Sequence, residues 1–215
     1  PTLLQLDSKL NLGMSGGAVI NLKGELVGLT SNSANAAGYD AQAGYAIPMD
    51  AIGRRAVEAL RGGKEVEYGF LGIQLDREGG TSRVKDAVPG TPAADALVRP
   101  NDLITAVGDL PITGTDSLIL AINGVPAGAK VTLKLLRGDE RIERIAEVAK
   151  LRVDGEVIAT NRPPSWRGLR VDYTSTLPHA AFGDDILRAM AGGGVAVIEV
   201  EPGSVAEKAG LKGGQ

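Results

Sequence analysis

The sequence contains no cysteine, which excludes a disulfide framework, a thiolate nucleophile and any cysteine-built metal site. That absence fits an oxidising or a reducing compartment alike. Histidine is nearly missing as well: His179 is the single copy. There is no excess of positive charge, since 23 Lys and Arg stand against 26 Asp and Glu, for a formal net charge of -3. With no dense basic run either, neither nucleic acid nor an anionic membrane surface is an expected partner. No apolar stretch approaches the roughly 18 residues that a spanning helix needs, and no signal-peptide pattern opens the chain. Patterns of the H-E-x-x-H, EF-hand and P-loop kinds are lacking too, so no metal or nucleotide cofactor is implied.

What is present is an ordinary globular composition of 215 residues, 43% hydrophobic and 23% charged, enough for one large domain or two to three small ones. The start at Pro1 and the stop at Gln215 inside a turn pattern read as the ends of a piece of a longer chain. Residues 18–30, AVINLKGELVGLT, alternate apolar and polar positions around Lys23 and Gly24, which predicts a hairpin with one buried face. After a small-residue loop, AGYAIP predicts a strand and the next segment a helix. Asp50 is its expected cap, Ile52, Ala56, Val57 and Leu60 its shared face, and Gly62-Gly63 its end.

From Tyr68 the pattern changes to short strands: YGFLGIQL, VKDAV, DLITAVGDLPI and KVTLKLLRGDERIERIAEVA. One helix, TDSLILAINGV, lies among them with Thr115 as the expected cap. The mixed charges of RGDERIER, around Gly138-Asp139, fit a solvated hairpin turn better than a binding face. NRPPSWRG reads as a linker into a third segment. The repeat is the strongest organisational signal. VKDAVPGTPAADALVRPND (84–102) and VIEVEPGSVAEKAGLKGGQ (197–215) align without gaps, Pro89-Gly90 against Pro202-Gly203 and Ala93 against Ala206. The chain therefore divides into residues 1–62, a module over 66–151, and an incomplete second copy of that module over 165–215.

Gly13-Met14-Ser15-Gly16-Gly17 carries the chemistry. As G-x-S-x-G it would be a strand-to-helix nucleophile elbow, but a hairpin follows, which the elbow does not allow. As G-x-S-G-G before a hairpin it resembles the nucleophile loop of trypsin-like serine proteases. LDSKLNLGMSGGAVINLKGELVGLTS is similar to the stretch around the nucleophile in the HtrA (Deg) family, with Asp7, Asn11, Gly13, Ser15, Gly16 and Gly17 in the family's positions. AGYAIPMDAI resembles that family's closing strand and exit helix, and both repeats resemble its PDZ domains.

The resemblance implies a mainly β chain with some α: the C-terminal part of a trypsin-like β-barrel, then PDZ domains of which the second is incomplete. It implies a serine endopeptidase acting on unfolded or misfolded polypeptides. Ser15 is then the nucleophile, and the Gly13 and Ser15 amides form the oxyanion hole. The family's catalytic His and Asp precede the serine, so this chain lacks both and is expected to be inactive alone. His179 sits in the third segment and is not a substitute, and Asp7 matches a structural residue. Met14 replaces an Asn or Asp, and Leu12 a frequent proline. Phe70, Leu71, Gly72 and Ile73 match the PDZ loop that captures a peptide's C-terminal carboxylate, with the groove between the strand from Ile73 and the helix near Asp116. Arg167-Gly168-Leu169 holds the same place in the second copy. The resemblance further implies polypeptide and peptide C-terminus partners, a homotrimer-based assembly and a bacterial periplasmic or cell-envelope location. The competing reading is a non-catalytic PDZ scaffold carrying a degenerate protease remnant.

Overall fold

The structure, a computed structural model, describes residues 3–11, 13–31, 43–76, 80–153, 159–177 and 194–214. His179 lies outside them. The chain forms two compact units, residues 1–66 with 159–161, and residues 67–158 with 162–215. Strand dominates both, with short helices between.

The first unit is a four-stranded antiparallel sheet in the order β1-β4-β3-β2, built from β1 (Leu4–Leu6), β2 (Ala18–Ile20), β3 (Leu26–Thr30) and β4 (Gly44–Pro48). The expected hairpin is β2–β3. Its turn is held by the Asn21 side chain, whose Oδ1 accepts from the Lys23 and Glu25 amides at 2.9 and 3.0 Å. Tyr45 and Ala46 of β4 are both buried although they point to opposite faces, so this strand is covered on both sides at that point. Helix α1 (Ala51–Arg61) starts as expected, with Asp50 Oδ1 accepting from Ile52 and Gly53 N–H at 2.9 Å each. Its expected apolar face is only partly realised: Ile52, Ala56 and Val57 are half-buried, whereas Leu60 is exposed.

The second unit holds a full module with its own core. Sheet β11-β10-β8-β9 joins β8 (Leu103–Val107), β9 (Leu110–Pro111), β10 (Lys130–Arg137) and β11 (Glu140–Glu147). The charged run is the β10–β11 hairpin. Gly138 takes a φ of +59° at its tip, and opposite charges face each other at Lys130–Glu147 and Lys134–Glu143. On the other face Leu133 and Leu135 pack with Ile104, Val84, Leu118 and Val148. Each such side chain contributes about 1.5–3 kcal/mol through burial. Two small antiparallel pairs flank this sheet: β5 (Gly69–Phe70) with β12 (Ala149–Lys150), and β6 (Ile73–Leu75) with β7 (Val84–Ala87).

A buried carboxylate ties this module together. Asp102, fully buried, accepts from Arg137 Nε at 2.7 Å, from Arg137 Nη2 at 2.8 Å and from the Arg99 amide at 2.9 Å. Burial alone would push its carboxyl up. The Arg137 hydrogen bonds, the Arg99 amide and the two guanidinium charges outweigh that and hold it below the usual carboxylate range.

Helix α2 (Pro92–Asp95) follows the Pro89-Gly90 turn, and α3 (Thr115–Asn123) crosses the sheet. Thr115 is not the cap of α3. The helix starts from Gly114, and Ser117 reaches back to accept from the Gly114 and Thr113 amides at 3.0 and 2.9 Å, while Thr115 Oγ1 donates to the Thr81 carbonyl. The serine at N3 closes the helix start from inside, taking the amide of the cap residue itself and of the residue before it, an arrangement that a search for a cap side chain alone does not reveal.

The second copy reproduces several of the first copy's backbone bonds at equivalent positions. It comprises β13 (Leu169–Tyr173), a 3-10 turn (Thr174–Thr176), β14 (Val195–Val200) and α4 (Val205–Lys208). Gln74↔Asp86 in the β6–β7 ladder corresponds to Arg170↔Glu199 in β13–β14, and a register slip follows at the same step in both. Val88 N–H to Gly72 O becomes Glu201 N–H to Gly168 O, and Ala93 N–H to Leu71 O becomes Ala206 N–H to Arg167 O. The segment expected as a linker does more than connect. Arg162 pairs with Glu199 at 3.0 Å, the Pro163 carbonyl accepts from Arg170, and Trp166 bridges to Leu169. No described helix is long and apolar enough to cross a membrane.

Candidate functional site

The serine loop is built on the end of β3. Gly13 and Gly16 both take a φ of +87°, a left-handed conformation that a Cβ disfavours, so the two glycines let the chain reverse around Ser15. Ser15 stands exposed at that reversal. Thr30 fastens the loop to the sheet. Its carbonyl accepts from Gly16 N–H at 2.8 Å, its Oγ1 accepts from Gly17 N–H at 2.9 Å and donates to the Met14 carbonyl, and its own N–H reaches Gly17 O at 2.8 Å. Gly17 sits tightly here as well: an added Cβ would lie 3.0 Å from Thr30 Oγ1 and 3.1 Å from the Met14 carbonyl, so those neighbours would have to shift.

Sequence reasoning missed Thr30. The signal was available in the hairpin register: with Ala18 opposite Leu29, Gly17 must face Thr30. Met14 folds back so that its Sδ accepts from Asn11 N–H at 3.3 Å, and its own N–H bonds Asn11 O at 3.1 Å. The methionine thus closes the turn that leads into the serine. Ser15 and Gly13 lie in the first unit, and no histidine occurs among residues 1–66.

The second candidate site lies in the other unit, where Phe70, Leu71, Gly72 and Ile73 join β5 to β6. Leu71 is 2% exposed and sits in the core with Leu118 and Ile122 of α3, against which Ile73 and Leu75 also pack. Gly72, at a φ of +75°, is forced to be glycine, because a Cβ would lie 2.3 Å from the Thr91 side chain. Thr91, itself fully buried, donates to the Val88 carbonyl at 2.6 Å.

The loop's polarity follows from its carbonyls. Leu71 O accepts from Ala93 N–H and Gly72 O from Val88 N–H, both at 2.9 Å. In a trans peptide the N–H points opposite the C=O, so the amides of Gly72 and Ile73 turn away from the core. Positions 72, 74 and 76 face β7, Asp76 N–H closing that side on Arg83 O. By alternation Ile73 and Leu75 present their backbone groups to the opposite edge of β6, which no strand occupies among the described residues. The structure thus brings together an outward pair of amides, an unoccupied strand edge and apolar side chains from β6 and α3.

In the second copy the corresponding loop has the same skeleton and a different outlet. Gly168 takes a φ of +81°, and a Cβ there would lie 2.1 Å from Ser204 Cβ, the position of Thr91. Arg167 also has a positive φ, 55°, so the two residues form a tight reversal in which Trp166 and Leu169 exchange both backbone hydrogen bonds at 2.9 Å. The Leu169 amide, counterpart of Ile73, is therefore spent on Trp166. Arg167 stacks over the Trp166 ring, 4.9 Å from its centroid, instead of entering a core as Leu71 does.

Comparison with known proteins gives these geometries a setting. The PDZ domain family model matches residues 69–148. The probable periplasmic serine endoprotease DegP-like of Chlamydia trachomatis is 30% identical over 224 aligned positions, covering 99% of this chain and 43% of that protein. The periplasmic pH-dependent serine endoprotease DegQ of Escherichia coli is 31% identical over 222 positions, covering 97% of this chain and 46% of its own. Among solved structures, the serine endoprotease from Yersinia pestis is 29% identical, with 69% of this chain and 52% of that one aligned at a TM-score of 0.47. The chain spans less than half the length of these two curated relatives. The likeness runs through the serine loop, the hairpin behind it and the domain that follows, and on that extent the chain belongs to the HtrA/Deg family of serine proteases with PDZ domains.

Proposed function

We propose that this chain carries the nucleophile and the peptide-binding part of an HtrA-type serine endopeptidase, which cleaves unfolded or misfolded polypeptides. The observation that supports the chemistry is the Gly13–Gly17 loop, reversed at two glycines and fastened to β3 through Thr30. Ser15 Oγ, giving its proton to the general base, attacks the scissile carbonyl; the Gly13 and Ser15 amides receive the oxyanion, whose collapse breaks the C–N bond, releases the amine with that proton and leaves the acyl-enzyme. The general base and its orienting carboxylate come from the family's segment that precedes the serine; His179, the one histidine here, takes no part. The chain by itself is then without hydrolytic activity.

Phe70–Ile73 and the open edge of β6 receive the C-terminal residues of a polypeptide. The chain end adds as a strand beside Ile73 and Leu75, its carboxylate meets the outward amides of Gly72 and Ile73, and its last side chain enters the apolar space between β6 and α3. Relatives named as periplasmic enzymes favour a cell-envelope location, and a homotrimer-based assembly follows the family pattern. Fluorophosphonate labelling of the full-length protein tests the nucleophile: wild type should label and Ser15→Ala should not, and equal labelling sinks the assignment.

A non-catalytic peptide-binding scaffold is the second reading, favoured by Met14 and its closure on Asn11. Restoring asparagine separates the two. Met14→Asn should leave labelling of an active enzyme within a few-fold of wild type, but should not create labelling in a scaffold.

A further inference from the structure

Phe70 occupies an unusual place in the first copy. Its neighbour Leu71 is locked into the module's core, whereas the Phe70 ring packs instead against Leu177 and Ala196 of the second copy, which are 4% and 0% exposed. The strand paired with Phe70 is gripped by the same segment. Ala149 lies opposite Phe70 in the β5–β12 pair, and the next residue, Lys150, is 6% exposed. Lys150 Nζ bonds Asp172 Oδ2 at 2.7 Å, with Glu67 Oε1 at 3.7 Å on its other side. The Lys150 carbonyl accepts from Ser175 Oγ at 2.7 Å, and Arg152 Nη1 donates to the Thr176 carbonyl at 2.7 Å. Tyr173 completes the seam: its hydroxyl lies beside Gly128, where an added Cβ would come within 3.0 Å of it.

Residues 172–177 thus form a continuous strap laid on the back of the β5–β12 pair. Two of its ties reach side chains of the first copy and one reaches main chain, so a slip along the seam would leave a buried ammonium without its carboxylate. The front of the same pair leads directly into Leu71 and Gly72. Without the strap, Phe70 loses its apolar partners, and nothing described in the first copy's own core replaces them.

We propose that the second copy is a positioning element for the carboxylate loop of the first: by covering Phe70 and clamping Lys150 it holds the Phe70–Gly72 turn in the form that presents the Ile73 edge. This rests on the reading of Phe70–Ile73 as the peptide-binding loop. The partner in the interaction is this chain's own second repeat, and the consequence is that peptide affinity in the first groove depends on residues far from any peptide.

The test uses the 215-residue chain with two substitutions confined to the strap, Asp172→Ala and Leu177→Ala, so that the first copy's sequence stays intact. Hydrogen–deuterium exchange of the unliganded protein is followed over 69–75, over 171–177, and over α3 and β10–β11 as internal reference. Both variants should raise exchange at least tenfold in 69–75 as well as in 171–177, with the reference unchanged. Faster exchange in 171–177 with 69–75 unaltered overturns the proposal, as does unaltered exchange in both. Binding is read in parallel with fluorescein-labelled decapeptides ending in Ala, Val, Leu, Ile or Phe, each as the free acid and as the amide. An acid that binds wild type should lose about tenfold in Kd with each variant. If acids and amides bind wild type alike, the carboxylate reading of the loop fails, while the exchange result still decides whether the strap orders it.

Discussion

The two copies of the repeated module share a skeleton and differ in what surrounds it. In both, a glycine at positive φ lies against a small hydroxyl residue, Gly72 on Thr91 and Gly168 on Ser204, and the same two carbonyls are tied to the turn and helix that follow. The first copy inserts Leu71 into a core and leaves the Ile73 amide facing an edge that no described strand occupies; the second puts Arg167 outside and closes the Leu169 amide onto Trp166. The lesson is that the loop's internal bonding is cheap to copy, because a glycine, a Pro-Gly turn and a hydroxyl suffice. A usable edge needs more: an apolar residue to anchor the loop from behind and a neighbouring strand to keep its start away from its end.

The largest break in the comparison should come from Gly72→Ala. The positive φ and the contact with Thr91 together cost about 2–4 kcal/mol. Calorimetry should show the module's melting midpoint fall by roughly 10 °C or more. Gly168→Ala meets the same obstacle on a far smaller core, so it should loosen only 169–173 and 195–200 by hydrogen exchange, with the main transition kept.

Asp102→Asn comes next, at about 2–3 kcal/mol, since it removes the charge that holds Arg137 and the Arg99 amide. The same group sets an acid limit. Its carboxyl titrates below its unfolded value, so its stabilisation is complete above about pH 4 and is lost as the pH falls through the folded value. Urea midpoints measured down to pH 3 should drop for wild type and stay flatter for Asp102→Asn.

The hydroxyl pair should give a smaller contrast. Thr91→Val loses the bond to Val88 O, and Ser204→Ala loses the cap on Glu207 N–H; each should cost about 1 kcal/mol by chemical denaturation, the first in the main transition and the second as local opening. The smallest signal is a difference in protection. A bound C-terminal peptide should slow exchange of the Ile73 amide and leave Leu169 unchanged, because Leu169 is already bonded to Trp166.

Much of this was legible in the sequence where one local rule governs. The β2–β3 and β10–β11 hairpins, the Asp50 cap and the Pro89-Gly90 repeat depend on residues within a few positions of each other. The serine loop was legible as a pattern, but its fastening to Thr30 required the hairpin register. The second copy's loop was matched at Arg167-Gly168-Leu169, and its skeleton agrees. Its closure was not foreseen, because a proline-rich run reads as a connector until Trp166 is seen to pair. The strap is harder still: Lys150 and Asp172 are 22 positions apart, and no periodicity marks a lysine as buried. Thr115 failed for the opposite reason: hydroxyl residues stand at both 115 and 117, and only geometry shows that Ser117 closes the helix start while Thr115 bonds the Thr81 carbonyl.

The register slip between Gln74 and Leu75 has a further consequence. Where two residues oppose one, a strand twists sharply and its outer margin curls away from a flat line. Here the extra residue is Lys85 of β7, so the bulge bends β7, while β6 itself is only three residues long, Ile73–Leu75, and its margin offers few backbone groups for a second molecule of this protein to extend into an endless ladder. A surface that must stay open to backbone pairing is thus protected from polymerising by its own brevity.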